Sequence, residues 1–289
     1  MKGWIVVNSF INSNKFNELY EFFENSSKRL GISLEVKTTD YFTTDIASHF
    51  SGMALPDFVI FWDKDVHLAY QLEKAGVPVF NSARGIELCD NKILTALALN
   101  GKVRMPKTII VPKTFEGVGY TNFNFLEKAV QELGLPIVIK EAYGSFGKQV
   151  YLAGTIDEAK EILNKIGYKE CLIQEFIASS KGRDARINVV GGKVVASMYR
   201  FNNSDFRSNI SSGGSMRAYE PTKAEEEIAI KSCEALGLDF AGVDVMFGED
   251  NLPYICEVNS NPHFKTTYVS TGVDMSEIIL RYVKESVKK

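Results

Sequence analysis

Asp244, in the run Ala241-Gly-Val-Asp244, and the run Glu257-Val-Asn259 have the residue types and spacing of a metal site. With Asp250–Asn251 as a two-residue hairpin loop, Asp244 falls directly opposite Glu257 on the returning strand. Asn259, two residues further, points to the same face as Glu257. Two carboxylates and a carboxamide are hard oxygen donors, the ligands that magnesium takes alongside substrate phosphates. An ordinary polar hairpin face is the competing reading of the same residues.

A second group lies upstream. Ile137-Val-Ile-Lys140 reads as a buried strand ending in lysine, and it runs into Tyr143-Gly144-Ser145-Phe146-Gly147-Lys148. A glycine-bearing loop beside a fixed ammonium can fold backbone N–H groups over phosphate oxygens. It is not a Walker loop, because Ala142 replaces the early glycine and Gln149 follows Lys148 where Ser or Thr is needed. Gly117-Val-Gly119 also fails as a dinucleotide fingerprint, lacking the third glycine and a preceding strand. A third group, Gln174-Glu175-Phe176-Ile177 with Asp184, is a strand breaking into a polar hinge, suited to an adenine edge and a ribose hydroxyl pair. The plainer account makes Asp184 and Arg186 a surface ion pair. A fourth, Asp205-Phe-Arg207-Ser208-Asn209 running on to Ser211-Ser-Gly213-Gly214-Ser215, is a polar loop after Arg200; arginines so placed suit anionic transition states, and an exposed loop is the alternative.

The elements that would position these groups alternate between strand and helix. Trp4–Val7, Ile32–Val36, Phe58–Trp62 and Val77–Phe80 read as short strands. Between them, helical spacing runs from Phe16 to Leu30, stopped by Gly31, and over Val66–Lys74, ended by Gly76, which predicts a parallel sheet. From Asp90, taken as an N-cap, a helix runs to Leu99. Strands follow at Thr108–Val111 and Cys171–Ile177, and helices at Phe125–Leu133 and, with a Thr155/Glu158 capping box, Thr155–Ile166. Arg186–Val190 and Lys193–Arg200 meet at Gly191–Gly192, a two-residue hairpin signal. Thr222 with Glu225 and Asp274 with Glu277 start the last two helices.

Composition narrows the classes. The chain has 289 residues, 45% hydrophobic and 24% charged, which excludes a disordered protein. The net charge of −3 gives no cationic face for nucleic acid. The longest apolar run, Phe58–Trp62, is far below the roughly 18–20 residues of a membrane span, and no secretory signal is evident, so a cytoplasmic address is expected. Cys89, Cys171, Cys233 and Cys256 have no metal-ligand spacing and read as buried thiols. His49 and His67 read as surface or locally satisfied histidines, and His263, beside the proposed metal ligands, as a candidate substrate contact.

From Asp90 onward the ordered run of Asp90-Asn-Lys92, Ile137–Lys140, Gln174–Ile177, Gly182-Arg-Asp184-Ala-Arg186, Asp205–Asn209, Gly213-Gly214, Ala241–Asp244 and Glu257–Asn259 resembles the ATP-grasp superfamily, and more narrowly its RimK-like ligases. The resemblance implies an α/β protein, α+β in its ATP-binding part. It would comprise an ATP-grasp fold behind a Rossmann-like domain at 1–88, a central lobe at 89–177 and a metal-bearing lobe at 178–289. It implies that Lys92 and Lys140 contact ATP phosphates, with Ser145 in the phosphate loop. It also implies that Gln174, Glu175, Phe176 and Ile177 line adenine, that Asp184 binds ribose, and that Arg207, Ser208 and Asn209 touch the phosphate end. Asp244, Glu257 and Asn259 would hold magnesium or manganese, two ions in all, and Arg200, Arg207 and Lys140 would act in catalysis. Relatives commonly assemble as dimers or tetramers. Ser260-Asn-Pro-His-Phe264 is bulkier than in the glutamate-adding members, which leaves the acceptor open.

The implied reaction makes an acyl phosphate from a carboxylate and ATP, then an amide from an amine, adding an amino acid such as glutamate to an amino acid, peptide or protein tail. A grasp-fold kinase and a nucleotide-binding protein without turnover are the rivals. No protein nucleophile is needed, in keeping with the absence of H-E-x-x-H and G-x-S-x-G.

Overall fold

A computed structural model describes residues 1–11, 13–43, 45–47, 50–210 and 213–288; His49, Ser211 and Ser212 lie outside them. The first sheet is built from β1 (Lys2–Val7), β2 (Ser33–Thr38), β3 (Phe58–Phe61) and β4 (Val79–Phe80), all parallel, in the order β2-β1-β3-β4. Helices α1 (Asn14–Leu30) and α2 (Val66–Lys74) provide crossovers, as the alternation predicts. Gly31 ends α1 with φ 64, whereas α2 is capped by Ala75, one residue before the expected glycine. The chain leaves β1 toward β2 on one side and returns to β3 on the other. The carboxyl ends of β1 and β3 therefore flank a crevice of the kind that binds ligands in open α/β sheets.

Asp90 is not an N-cap. It is the last residue of α3 (Ala83–Asp90), a helix the sequence reading lacks, and it turns its carboxylate to Lys64. Asn91 caps α4 (Lys92–Leu99) instead, its Oδ1 accepting from the N–H groups of Ile93 at 2.9 Å and Leu94 at 3.2 Å.

The second sheet, antiparallel, comprises β5 (Thr108–Ile110), β6 (Ile137–Glu141), β7 (Val150–Ala153) and β8 (Cys171–Glu175) in the order β5-β8-β6-β7. Helices α5 (Asn124–Leu133) and α6 (Ile156–Ile166) share its core through Leu126, Ala129, Ala159 and Leu163. The Thr155 capping box is half formed: Thr155 accepts from Glu158 N at 3.2 Å, but the Glu158 carboxylate takes Gly154 N at 2.7 Å.

The third sheet has β9 (Arg183–Val190), β10 (Lys193–Phe201), β11 (Ser215–Ala218), β12 (Phe240–Phe247) and β13 (Pro253–Asn259) in the order β11-β10-β9-β12-β13. Val190 faces Lys193 across Gly191 and Gly192, at φ 56 and 72, so the expected glycine hairpin forms. Helix α7 (Lys223–Leu236) carries a complete Thr222/Glu225 capping box. The β12–β13 turn differs from expectation. Phe247 faces Pro253, making the connection five residues, 248–252, and Cys256 is then an extra residue bulged between the pairs Val245/Ile255 and Asp244/Glu257. The longer turn and the bulge offset each other, so Asp244 still faces Glu257.

Helices α8 (Lys265–Thr271) and α9 (Met275–Ser286) follow. Helix α9 returns to the first sheet, where Met275, Ile279, Leu280 and Val283 join Phe23, Phe58, Trp62 and Phe240 in one buried cluster. Asn81, fully buried, pins the first sheet to the third. Its Nδ2 donates to the carbonyls of Phe240 at 2.9 Å and Ser260 at 3.0 Å, and its Oδ1 accepts from the N–H groups of Asp239 at 2.7 Å and Phe240 at 3.0 Å. Among the described residues no helix is long and apolar enough to cross a membrane.

Candidate active site

Strand register places the reactive side chains across the third sheet. Arg200 on β10 faces Asp184 on β9, Arg186 on β9 faces Asp244 on β12, and Asp244 faces Glu257 on β13. The first four form a buried chain of alternating charge. Arg200 donates from Nε to Asp184 Oδ1 at 2.7 Å and from Nη2 to Asp184 Oδ2 at 2.5 Å, and Nη2 also lies 2.9 Å from Asp244 Oδ2. Arg186 grips Asp244 from the other side, with Nη2 2.9 Å from Oδ2 and Nε on Oδ1. Burial works against the charge on Asp244, but the two guanidinium groups outweigh it and hold the carboxyl below the usual carboxylate range. Burial likewise opposes the charge on Arg200, and Asp184 and Asp244 overcome it, raising its pKa. The surface ion pair between Asp184 and Arg186 is therefore corrected: both are drawn inward, each to a different partner. Gly242 makes room for this. A Cβ there would come 2.8 Å from Pro262 Cβ and 3.0 Å from both Cδ and Nη1 of Arg186.

Between the second and third sheets lies a slot walled by Val138, Val150, Phe176, Ile177, Met246 and Phe206. Gln174 and Glu175 line its edge, held by bonds from Gln174 Nε2 to Thr108 Oγ1 at 2.9 Å and from Lys107 N to Glu175 Oε1 at 2.8 Å. Lys92, Lys140, Asp184, Arg200, Arg207, Ser208, Asn209, Asp244 and Glu257 line the same cavity, so most of the expected nucleotide contacts are brought together. An apolar slot leading to a cluster of cations has the form of a nucleotide site. Lys140 Nζ lies 3.5 Å from Cys256 O, and Lys92 Nζ donates to Gly144 O at 3.2 Å. Arg207 Nη1 donates to Gly147 O at 2.6 Å, joining the glycine loop to the 205–209 loop, and its guanidinium is also paired with Asp205 at 2.7 Å. Gly147 has φ 71, in the left-handed region that favours glycine, and a Cβ there would come 2.9 Å from Asn209 Oδ1.

A larger cavity of ≈ 510 Å³ adjoins the first. Ser145 and Asn259 line this one only, whereas Arg200, Asn209 and Glu257 line both. Its other wall comes from the first sheet and the 260–266 segment, including Trp62, Asp63, Lys64, Asn261 and His263. His263 packs edge-on against Phe16, with centroids 6.1 Å apart. His67 is exposed on α2, away from both cavities.

The donor chemistry fits magnesium. Glu257 is partly exposed, and among the described residues its ion pair is with Lys92, at 3.6 Å. Asn259 donates from Nδ2 to Gly242 O at 3.3 Å, which leaves Oδ1 as its acceptor for a cation. Asp244 Oδ2 is shared by both arginines, and only Oδ1, which accepts from Arg186 Nε alone, keeps a lone pair that a cation would use. Among the described residues no trio of His, Cys, Asp and Glu side chains is arranged to hold an ion, so phosphate oxygens would have to complete the shell. Cys256 lines the slot and Cys89 the larger cavity, both as protonated thiols. Burial pushes the thiols of Cys89 and Cys171 to about 12 and that of Cys256 to about 11, and raises Cys233 too. Cys256 is only half-buried, unlike the fully buried thiol expected.

Arg186, Met246, Phe206, Asp63 and Asn261 are site residues that the sequence reading did not assign. Arg186 was recoverable, since it shares the strand face of Asp184 two residues away and so points to the same sheet surface.

Solved structures with this architecture are ATP-grasp proteins. The fold matches D-alanine–D-alanine ligase of Bacillus anthracis complexed with ATP, at TM-score 0.73 and 18% identity, over 100% of this chain and 98% of that one. It matches the RimK domain ATP-grasp protein of Sphaerobacter thermophilus at TM-score 0.73 and 18% identity, over 98% and 99% of the two chains. The protein thus has the ATP-grasp fold. Its family follows from sequence: residues 89–283 match the RimK-like ATP-grasp domain, and the chain belongs to that family. MG012 of Mycoplasma genitalium is 31% identical over 90% of this chain and 92% of its own length. Human N-acetylaspartylglutamate synthase A is 32% identical over 76% of this chain, which spans only 56% of that relative.

Proposed function

We propose that this protein is an ATP- and magnesium-dependent ligase that activates a carboxylate as an acyl phosphate and joins it to an amine. The single observation carrying this is the shared lining of the two cavities by Arg200, Asn209 and Glu257, which sets the end of the nucleotide slot against a second, substrate-sized space. Membership in the RimK-like family supports the ligase chemistry. So does the resemblance to N-acetylaspartylglutamate synthase A and to probable alpha-L-glutamate ligases, whose names make glutamate the first amino acid to test.

In this reading Val138, Phe176, Ile177 and Met246 hold adenine, and Lys92 and Lys140 hold phosphates. Asp184 borders the ribose position while fixing Arg200. The substrate carboxylate oxygen attacks the γ-phosphorus and ADP leaves; the amine nitrogen then attacks the carbonyl carbon and phosphate leaves. Two anions must meet in the first step, so charge neutralisation dominates the barrier. Arg200, already oriented by two carboxylates, needs no reorganisation to face the transferring group, and Arg207 closes the glycine loop beside it. Glu257, Asn259 and Asp244 would hold magnesium, which neutralises phosphate charge when bound. The division at 1–88, 89–177 and 178–289 belongs to the same reading and is supported by one sheet falling in each segment, with α9 crossing back to the first.

The test is an ADP-release screen of paired carboxylates and amines, read by mass spectrometry for the condensed product. Release that requires both partners supports the ligase. Phosphate retained on a single hydroxyl compound would make the protein a kinase.

A further inference from the structure

The larger cavity contains one carboxylate whose charge is not met. Asp63 follows β3 at the crevice between the carboxyl ends of β1 and β3, and it is only 9% exposed. Its partners are neutral: it accepts from Asp65 N at 2.8 Å, and from Asn8 and the Lys64 backbone. Among the described side chains, which do not include that of Lys15, no cation pairs with it: Lys64 is drawn to Asp90, and Arg186 and Arg200 are committed to Asp244 and Asp184. A buried carboxylate without a counter-charge is costly and rare unless something else supplies the cation. Next to it, Asn261 donates from Nδ2 to Asp63 O at 2.8 Å while its own Oδ1 is buried with no hydrogen-bond partner. The Asp63 carboxylate lacks a counter-charge rather than donors, and Asn261, tied to the Asp63 backbone, adds a carboxamide oxygen; both are acceptors of the kind that take the N–H bonds of a primary ammonium. Burial is the leading cause that raises the Asp63 carboxyl above its usual range, in line with a site that lacks its cation.

Building on the ligase reading above, we infer that Asp63, with Asn261, is the recognition site for the primary ammonium of the amine substrate; one ammonium proton passes to the Asp63 carboxylate to free the nitrogen lone pair for attack, and the second N–H proton leaves with the departing phosphate. Its position decides which substrate it serves. The carboxylate to be phosphorylated must lie against Arg200, Asn209, Glu257 and Asn259, on the side that joins the nucleotide slot. Asp63 comes from the opposite wall, carried by the first sheet, and that wall is left for the nucleophile. Phe16, Trp62, Phe146, Met198 and Ile210 line the same cavity, so it offers apolar cover to the body behind the ammonium.

The test separates the two half-reactions. Hydroxylamine is uncharged near neutral pH and traps an acyl phosphate without needing an ammonium site. Wild type, Asp63→Asn and Asp63→Glu are compared with ATP, magnesium and a panel of carboxylates including glutamate. The nucleophile is either hydroxylamine or one of a panel of primary amines, namely the free amino acids and their amides. For Asp63→Asn, KM for the amine should rise roughly 10- to 100-fold, the loss of one hydrogen bond to a charged group. Hydroxamate formation and KM for ATP should hold, and Asp63→Glu should recover part of the amine affinity. The thermal midpoint of Asp63→Asn at neutral pH should equal or exceed that of wild type, since an uncompensated buried charge is removed. Parallel loss of hydroxamate and amide would assign Asp63 to the carboxylate partner, and unchanged amine KM would remove it from recognition; either overturns the inference. Failure of wild type to form any hydroxamate would instead refute the ligase reading itself.

Discussion

Replacing Arg200 by methionine tests the buried charge chain on which the site is built. The guanidinium makes two hydrogen bonds to Asp184, at 2.7 and 2.5 Å, and a contact of 2.9 Å to Asp244, at 5% exposure. Methionine fills similar apolar volume but leaves Asp184 without its counter-charge and Asp244 with Arg186 alone. Stranding one member of a buried pair costs about 3–5 kcal/mol. At about 2–4 °C per kcal/mol for chains somewhat shorter than this one, the melting temperature should fall by roughly 6–20 °C. Urea unfolding at neutral pH, with the slope m unchanged, measures the loss directly. The pH dependence provides a second arm. The Asp244 carboxyl is depressed by its arginines against the effect of burial, so its stabilisation is present above the unfolded value of about 4 and is lost as pH falls through the folded value. Arg200→Met removes much of that contribution, so the gap between wild type and variant should narrow as pH drops below about 4. Combining Asp184→Asn with Arg200→Met should recover part of the loss, because the stranded charge is gone. A variant within about 0.5 kcal/mol of wild type, or a gap independent of pH, would show that the chain contributes no net stability and refute the reasoning.

Other substitutions separate chemistry from architecture. Glu257→Gln should abolish magnesium-dependent turnover while moving stability by less than about 1 kcal/mol, because its one ionic contact is long and partly exposed; activity assays with thermal melts check this. Lys140→Met should weaken ATP binding and turnover together, measured by calorimetry and steady-state kinetics, since Lys140 lines the slot shared with Asp184 and Glu257. Gly242→Ala should reduce turnover more than stability by displacing Arg186 from beneath β12, and a crystal structure of the variant would show whether Arg186 has moved. Asn81→Ala removes the side-chain partner of four backbone groups, in three of the four bonds buried, at about 1–3 kcal/mol for each group left unsatisfied before relaxation. It should therefore destabilise the whole chain and uncouple the first sheet from the third, as read by hydrogen exchange.

Local patterns in the sequence set the elements and much of the site's composition. The parallel order of the first sheet follows from strands separated by helices, the Gly191–Gly192 hairpin from residues that accept positive φ, and α7 from its capping box. The facing of Asp244 and Glu257 was legible too, although through a five-residue turn and a bulge at Cys256 that no period-two pattern reveals. Asp90 and Asn91 are both capping residues, and only the direction of their side chains shows that α4 starts at Asn91, whereas α3 has its own cap in Ser82, which accepts from Gly85 N. What sequence alone does not contain is pairing across strands far apart in the chain. Arg200 could be seen as an arginine near a phosphate loop, but its grip on Asp184 and Asp244 depends on β10, β9 and β12 lying side by side. Likewise Asp63 is an ordinary acid after a strand until the first sheet closes against residues 260–263 and removes it from water without a cation. Charge and hydrogen-bond satisfaction are properties of neighbours in space, and those neighbours are set by tertiary packing.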